Sequence, residues 1–97
     1  MSYDVEVAGE WFNYTSNMRQ MFKAFDVYPP EWDGKQAGLI AARISTAVAQ
    51  IVTRPEMELT KFNMPNGWGT WTSALRFLME VRDACRANPH AIVRVSA

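Results

Sequence analysis

The chain has 97 residues, and its ten basic and ten acidic side chains cancel. That length makes one domain and buries roughly 60–65 % of the unfolded surface, enough for a core without disulfides or metals. An apolar fraction of 48 % excludes a disordered chain, and zero net charge removes the electrostatic basis for general nucleic-acid binding.

Cys85 is the lone cysteine, so no internal disulfide forms and a reducing compartment is expected. Met1-Ser2-Tyr3-Asp4 lacks the basic and apolar regions of a signal peptide, and no apolar run approaches the ~20 residues of a membrane span. The expectation is a protein of the cytoplasm with no membrane partner. Charge is uneven along the chain: residues 1–34 carry six acids and two bases, and the remainder carries four acids and eight bases. Such a pattern either pairs acidic with basic faces between copies or mixes on the surface as the chain folds.

In chain order, Tyr3-Asp4-Val5-Glu6-Val7 alternates apolar with acidic residues, the period of a half-buried strand. Ala8-Gly9 forms a turn into Trp11-Phe12-Asn13-Tyr14-Thr15, which completes a hairpin. Met18, Met21, Phe22 and Phe25 then mark a short helix from about Ser16, ended by Tyr28-Pro29-Pro30. Asp33 as N-cap with Gln36 three residues on resembles a capping box for a second helix. Its apolar stripe is Ile40, Ile44, Val48 and Ile51, and Pro55 limits it. Glu56 to Met64 reads as a short strand or an irregular turn. A third helix spans about Thr70 to Ala87, with the stripe Trp71, Ala74, Leu75, Leu78, Val81 and Cys85, and closes at Asn88-Pro89.

Ala91-Ile92-Val93-Arg94-Val95 supplies a last strand, with Arg94 on the sheet face of Asp4 and Glu6. The order ββαααβ predicts an α+β domain: a small antiparallel sheet, made of the N-terminal hairpin and the C-terminal strand, with three helices on one face. Three strands leave two edges, and one sheet face lacks a helix layer. A second copy of the chain is the expected cover, making a homo-oligomer.

Two clusters carry candidate chemistry. Asn66-Gly67-Trp68-Gly69-Thr70 precedes the third helix, where backbone N–H groups, a helix dipole and a flat indole suit an anion carrying a ring, such as a nucleotide. It lacks the Gly-Lys-Ser/Thr of a P-loop. The alternative is a loop of two turns with both Trp68 and Trp71 packed in the core. Asn13-Tyr14-Thr15-Ser16-Asn17, with Arg19 a turn later, places polar groups at a strand-to-helix junction. That junction suits a phosphate or ribose, or else ordinary helix capping.

Lys35 is either a third phosphate contact or an exposed lysine at a capped helix start. Met18, Met21, Met57, Met64 and Met79 suit an adaptable partner surface or, for the first two, core packing. His90 is a loop residue, and Cys85 falls on an apolar stripe. Neither has neighbours in sequence that make a nucleophile–base pair or a metal set, so the expectation is no enzyme, no metal and no cofactor.

Tyr3-Asp4-Val5, the strand ending in Asn13-Tyr14-Thr15-Ser16-Asn17, Asp33-Gly34-Lys35, the Trp71–Leu75–Phe77-Leu78 helix, Asn88-Pro89 and Ile92-Val93-Arg94-Val95 together carry a resemblance. They resemble small uncharacterised proteins encoded by tailed phages and prophages. The resemblance implies an accessory, non-virion protein of the infected cell that binds something of the host.

The leading expectation is therefore a non-catalytic homo-oligomer that sequesters a nucleotide-type signal of host immunity. Asn13, Thr15, Asn17 and Arg19 would make polar contacts, Trp68 would stack, and Gly67, Gly69 and Thr70 would contact phosphate. The other expectation is a module that binds and inhibits or redirects a host protein, through an exposed patch of Trp11, Phe12, Tyr28 and Trp32.

Overall fold

The computed structural model describes residues 1–97. Strands β1 (Ser2–Val7), β2 (Glu10–Thr15) and β3 (Arg94–Ser96) form one antiparallel sheet in the order β2-β1-β3. Helices α1 (Arg19–Ala24), α2 (Ala37–Thr53), α3 (Glu56–Leu59) and α4 (Trp71–Ala87) lie between the second and third strands. The class is the α+β domain that the sequence predicts. The fourth helix is α3, a single turn continued by a 3₁₀ turn at Thr60–Phe62, so Glu56 to Phe62 of the stretch expected as a short strand or irregular turn is helical, and Asn63 and Met64 are not.

The hairpin turns at Ala8 and Gly9, with φ of 49° and 87°. Two consecutive positive φ values define a type I′ turn, whose twist matches the flanking strands. Glu6 secures it by accepting the Gly9 N–H at 2.8 Å. Tyr3, Val5 and Val7 then point into the core, joined by the half-buried Phe12 and Tyr14.

The opposite face carries Asp4, Glu6, Trp11, Asn13 and Arg94, and no helix packs on it. Register sets Arg94 beside Glu6, on the predicted face. The two form no ion pair; those of the molecule are Arg54–Glu58 at 3.9 Å and Arg82–Asp83 at 3.3 Å.

α4 packs over β1 and β2, and α2 packs antiparallel against α4. The predicted stripes meet here: Ile40, Ile44 and Ile51 from α2 close on Ala74, Leu78, Val81 and Cys85 from α4, joined by the buried Ala47 and Phe77. Val48, Trp71 and Leu75 of those stripes are half-buried at the margin. Trp32, from the 3₁₀ turn Pro29–Trp32, stacks on Phe77 with ring centroids 6.3 Å apart. It is fully buried, which removes it from any surface patch, and Phe12 and Tyr28 are only half exposed. Of the four aromatic residues expected at a surface, Trp11 alone stands clear.

α2 does not start as a capping box at Asp33. Its N-cap is Gln36, which makes no side-chain cap bond. Asp33 instead accepts the Val95 N–H at 2.9 Å, while Gly34 donates to the Val93 carbonyl and Val93 donates to the Lys35 carbonyl. The segment 33–36 therefore lies beside the chain that enters β3, with an isolated bridge from Gln36 to Ile92, and Asp33 occupies one outward N–H of β3. A carboxylate engaged by the Val95 N–H is lost to the helix start, whose N-cap is three residues on.

α1 ends in a left-handed residue, Asp26, at φ 59°. Val27 donates to Phe22 at 2.8 Å and Asp26 donates to Lys23 at 3.2 Å, the bond pair of a Schellman motif.

Candidate functional site: the junction of the two helix starts

The two polar clusters meet. Met64-Pro65-Asn66-Gly67 forms a turn with proline second and glycine last, closed by the Gly67 N–H on the Met64 carbonyl at 3.1 Å. Asn66 accepts the Trp68 N–H at 3.1 Å, and Met64 donates to the Gly69 carbonyl at 2.9 Å. The loop so braced lies against the end of β2, where Asn17 donates its side-chain N–H to the Trp68 carbonyl at 3.4 Å.

Gly69 sits at the closest point of approach. A Cβ there would come within 2.8 Å of Met18 Cγ and 3.4 Å of Thr15 Cγ2, and its φ of +153° also favours glycine. Beyond it, Thr70 caps α4: its hydroxyl accepts the Ser73 N–H at 3.1 Å, and the Ser73 hydroxyl accepts the Thr70 N–H at 3.2 Å. Tyr14 ties this cap to the sheet through a 2.7 Å bond between its hydroxyl and Ser73, and its ring stacks on Phe77 at 5.1 Å. Burial raises the Tyr14 pKa above the usual phenol value, against the opposing pull of the Ser73 and Thr70 bonds.

Thr15, Asn17, Gly67, Trp68, Gly69 and Thr70 thus share one junction. The other three predicted residues lie elsewhere. Asn13 is on the open sheet face, donating to Asp4 at 2.7 Å and to Ser2 at 3.1 Å. Arg19 opens α1, and its positive charge acts on the Tyr3 hydroxyl. Lys35 belongs to the segment beside the chain that enters β3, at the opposite edge of the sheet from Thr15.

Trp68 is 67 % exposed, so the expectation that both loop tryptophans are core residues fails for it, while Trp71 is half-buried. The N–H groups of Gly67, Trp68, Thr70 and Trp71 are all bonded within the chain, the last to Asn63 at 2.8 Å. What the junction offers to a ligand is therefore an indole face and side-chain amides and hydroxyls, with few backbone donors.

Sequence reasoning passes over Met18, Asn63, Asn66 and Ser73 as the residues that hold this junction. The Thr70–Ser73 spacing and the Met-Pro-Asn-Gly turn are readable signals for two of them.

The one concavity of the molecule lies away from the junction. It is a groove of about 550 Å³ between the end of α1 and the outer side of α2, with Phe25, Asp26, Leu39, Arg43 and Gln50 on its walls. None of the predicted site residues lines it. Cys85 is buried in α4, and burial pushes its thiol up to about 11, so it is protonated and unreactive at neutral pH. No helix is long and apolar enough to cross a membrane.

Fold and junction together define a small α+β domain that presents an exposed tryptophan on a hydrogen-bonded turn, next to a sheet with one bare face. No family model, curated protein or solved structure matches the chain.

Proposed function

We propose that the protein is a non-catalytic binding protein that occupies a host protein in the cytoplasm, an accessory factor of the tailed-phage kind that its sequence resembles. The observation that carries this reading is the presentation of Trp68. Its ring is two-thirds exposed on a loop braced by its own turn, by Asn66 and by Asn17. An indole contributes large contact area with little side-chain entropy to lose, and tryptophan is prominent among the residues that dominate protein interfaces. Because the loop is ordered before binding, the backbone cost of docking is small. Asn17 and Thr15 supply polar contacts at the rim.

A nucleotide-type signal is the second reading, favoured by the meeting of the Asn17 and Trp68 clusters. Against it stand the bonded N–H groups of Gly67 and Thr70, which leave Arg19 as the nearest basic residue in sequence for a phosphate.

Native mass spectrometry of tagged protein purified from host cells tests both. A stoichiometric host polypeptide that Trp68→Ala loses, with its circular dichroism unchanged, supports the proposal. A released small molecule of nucleotide mass supports the second reading. Wild-type protein free of either overturns both.

A further inference from the structure

Of the two sheet edges, that of β3 is partly covered: Asp33 accepts the Val95 N–H, and Gly34 and Lys35 bond Val93 just before the strand. The other, β2, is open, and its open groups are identifiable. The residues flanking a two-residue hairpin turn form a hydrogen-bonded pair, so Glu10, Phe12 and Tyr14 bond β1. The bond from Ser16 N–H to the Met1 carbonyl at 3.1 Å continues that alternation. Trp11, Asn13 and Thr15 therefore direct their backbone groups outward. Soluble proteins blunt such an edge with lysine, proline or a bulge, and β2 (Glu-Trp-Phe-Asn-Tyr-Thr) has none of these.

We infer that β2 pairs antiparallel with β2 of a second copy, about a two-fold axis through Asn13, to make a continuous six-stranded sheet. Asn13 then faces its own equivalent and Trp11 faces Thr15 of the second copy, giving about six inter-chain backbone bonds. No like charges meet along the strand, since Glu10 is its one charged residue and is carried past the end of the opposing strand.

The helix layer fits the same axis. With strands about 4.8 Å apart, a helix lying over β1 and β2 stands about 5 Å from the axis. The two α4 helices are then about 10 Å apart, a normal packing distance. The flank of α4 that faces the β2 edge is located by Ser73, which bonds Tyr14, and a helical repeat places Arg76 and Glu80 on it.

Both are exposed, and they form no ion pair with each other or with any other group of their own chain. Tyr14 stacks on Phe77, so Asn13 lies about level with Phe77 and Leu78, midway between Arg76 and Glu80. Antiparallel helices related there bring Arg76 of each copy to Glu80 of the other. The surface is charge-complementary to itself.

A consequence follows for the junction, and it rests on the reading of Trp68 given above. Trp11, itself 65 % exposed, is carried onto Thr15 of the second copy, the residue against which Gly69 packs. Each binding surface is then walled by Trp68 of one chain and Trp11 of the other.

Sedimentation analysis of the wild-type chain tests the assembly, with twice the chain mass expected. Trp11→Lys, at an exposed site, weakens dimerisation at least tenfold with an unchanged circular dichroism spectrum. Asn13→Lys does the same should the first variant misfold. Arg76→Glu weakens the dimer, and adding Glu80→Arg restores it. A wild-type monomer, or a dimer indifferent to both lysine variants, overturns the pairing. A dimer indifferent to the charge exchange overturns the axis through Asn13. Trp68→Ala leaves the dimer intact while removing the bound partner. Retained binding in that variant sinks the Trp68 reading and leaves the assembly standing.

Discussion

Gly69 is the residue on which the candidate site depends. A methyl group added there meets Met18 Cγ at 2.8 Å and Sδ at 3.0 Å, so the buried Met18 side chain must shift within the core. Overpacking of this kind and an unfavourable φ together cost about 2–4 kcal/mol. Gly69→Ala is therefore expected to lower the free energy of unfolding by that amount and to alter the tryptophan fluorescence as the loop that carries Trp68 loosens. A variant as stable as the wild type, with unchanged fluorescence, contradicts the account. Glycine at this position was legible as a helix-start feature. Its reason, a close approach to Met18 from 51 residues earlier in the chain, was not, because nothing local in either segment encodes the meeting. The same limit applies to Asn17 and Trp68: each cluster is readable alone, and a bond across 51 residues decides that they are neighbours.

At the scale of elements, periodicity carried far. The alternation in Tyr3 to Val7 and the stripes of α2 and α4 describe what is buried, because each face packs on a single apolar layer. Where two physical uses compete for one side chain, the sequence pattern is ambiguous. Asp33 suits a helix N-cap, yet it accepts the Val95 N–H at 2.9 Å and so occupies one outward N–H of β3. Asp33→Ala is expected to free that N–H, destabilise the fold by about 1 kcal/mol and speed hydrogen exchange at Val95 well beyond the global change. Asp33→Asn keeps an acceptor oxygen and so preserves most of the protection. Equal exchange in the two variants would show that the carboxylate does not hold the strand. Glu56 to Met64 is the other ambiguous stretch, too short for either period to declare itself; its single turn of helix is fixed by Leu59, which is buried in the core.

For the molecule as a whole, one core of 23 buried residues draws on the sheet, α1, α2, α3 and α4, so loss of any part should spread to all of it. Alkaline pH probes this directly. Burial raises Cys85 from 9.0 to about 11, and burial followed by the neighbouring Tyr28 raises Tyr3 from 10.0 to about 12. Both groups bind their protons more tightly folded than unfolded. Their contribution is thus complete below the unfolded values and is lost as pH rises through the folded ones. Stability should hold to about pH 9, fall from there to about pH 11 as the unfolded chain loses the Cys85 proton, and fall further up to about pH 12 through Tyr3. Cys85 lies on α4 and Tyr3 on β1, yet far-ultraviolet and near-ultraviolet circular dichroism should report one common transition at each pH. Cys85→Ala should remove the earlier part of the decline and keep the later one. Separate transitions for secondary structure and for aromatic packing, or an unchanged onset in that variant, would mean that the core does not act as a unit.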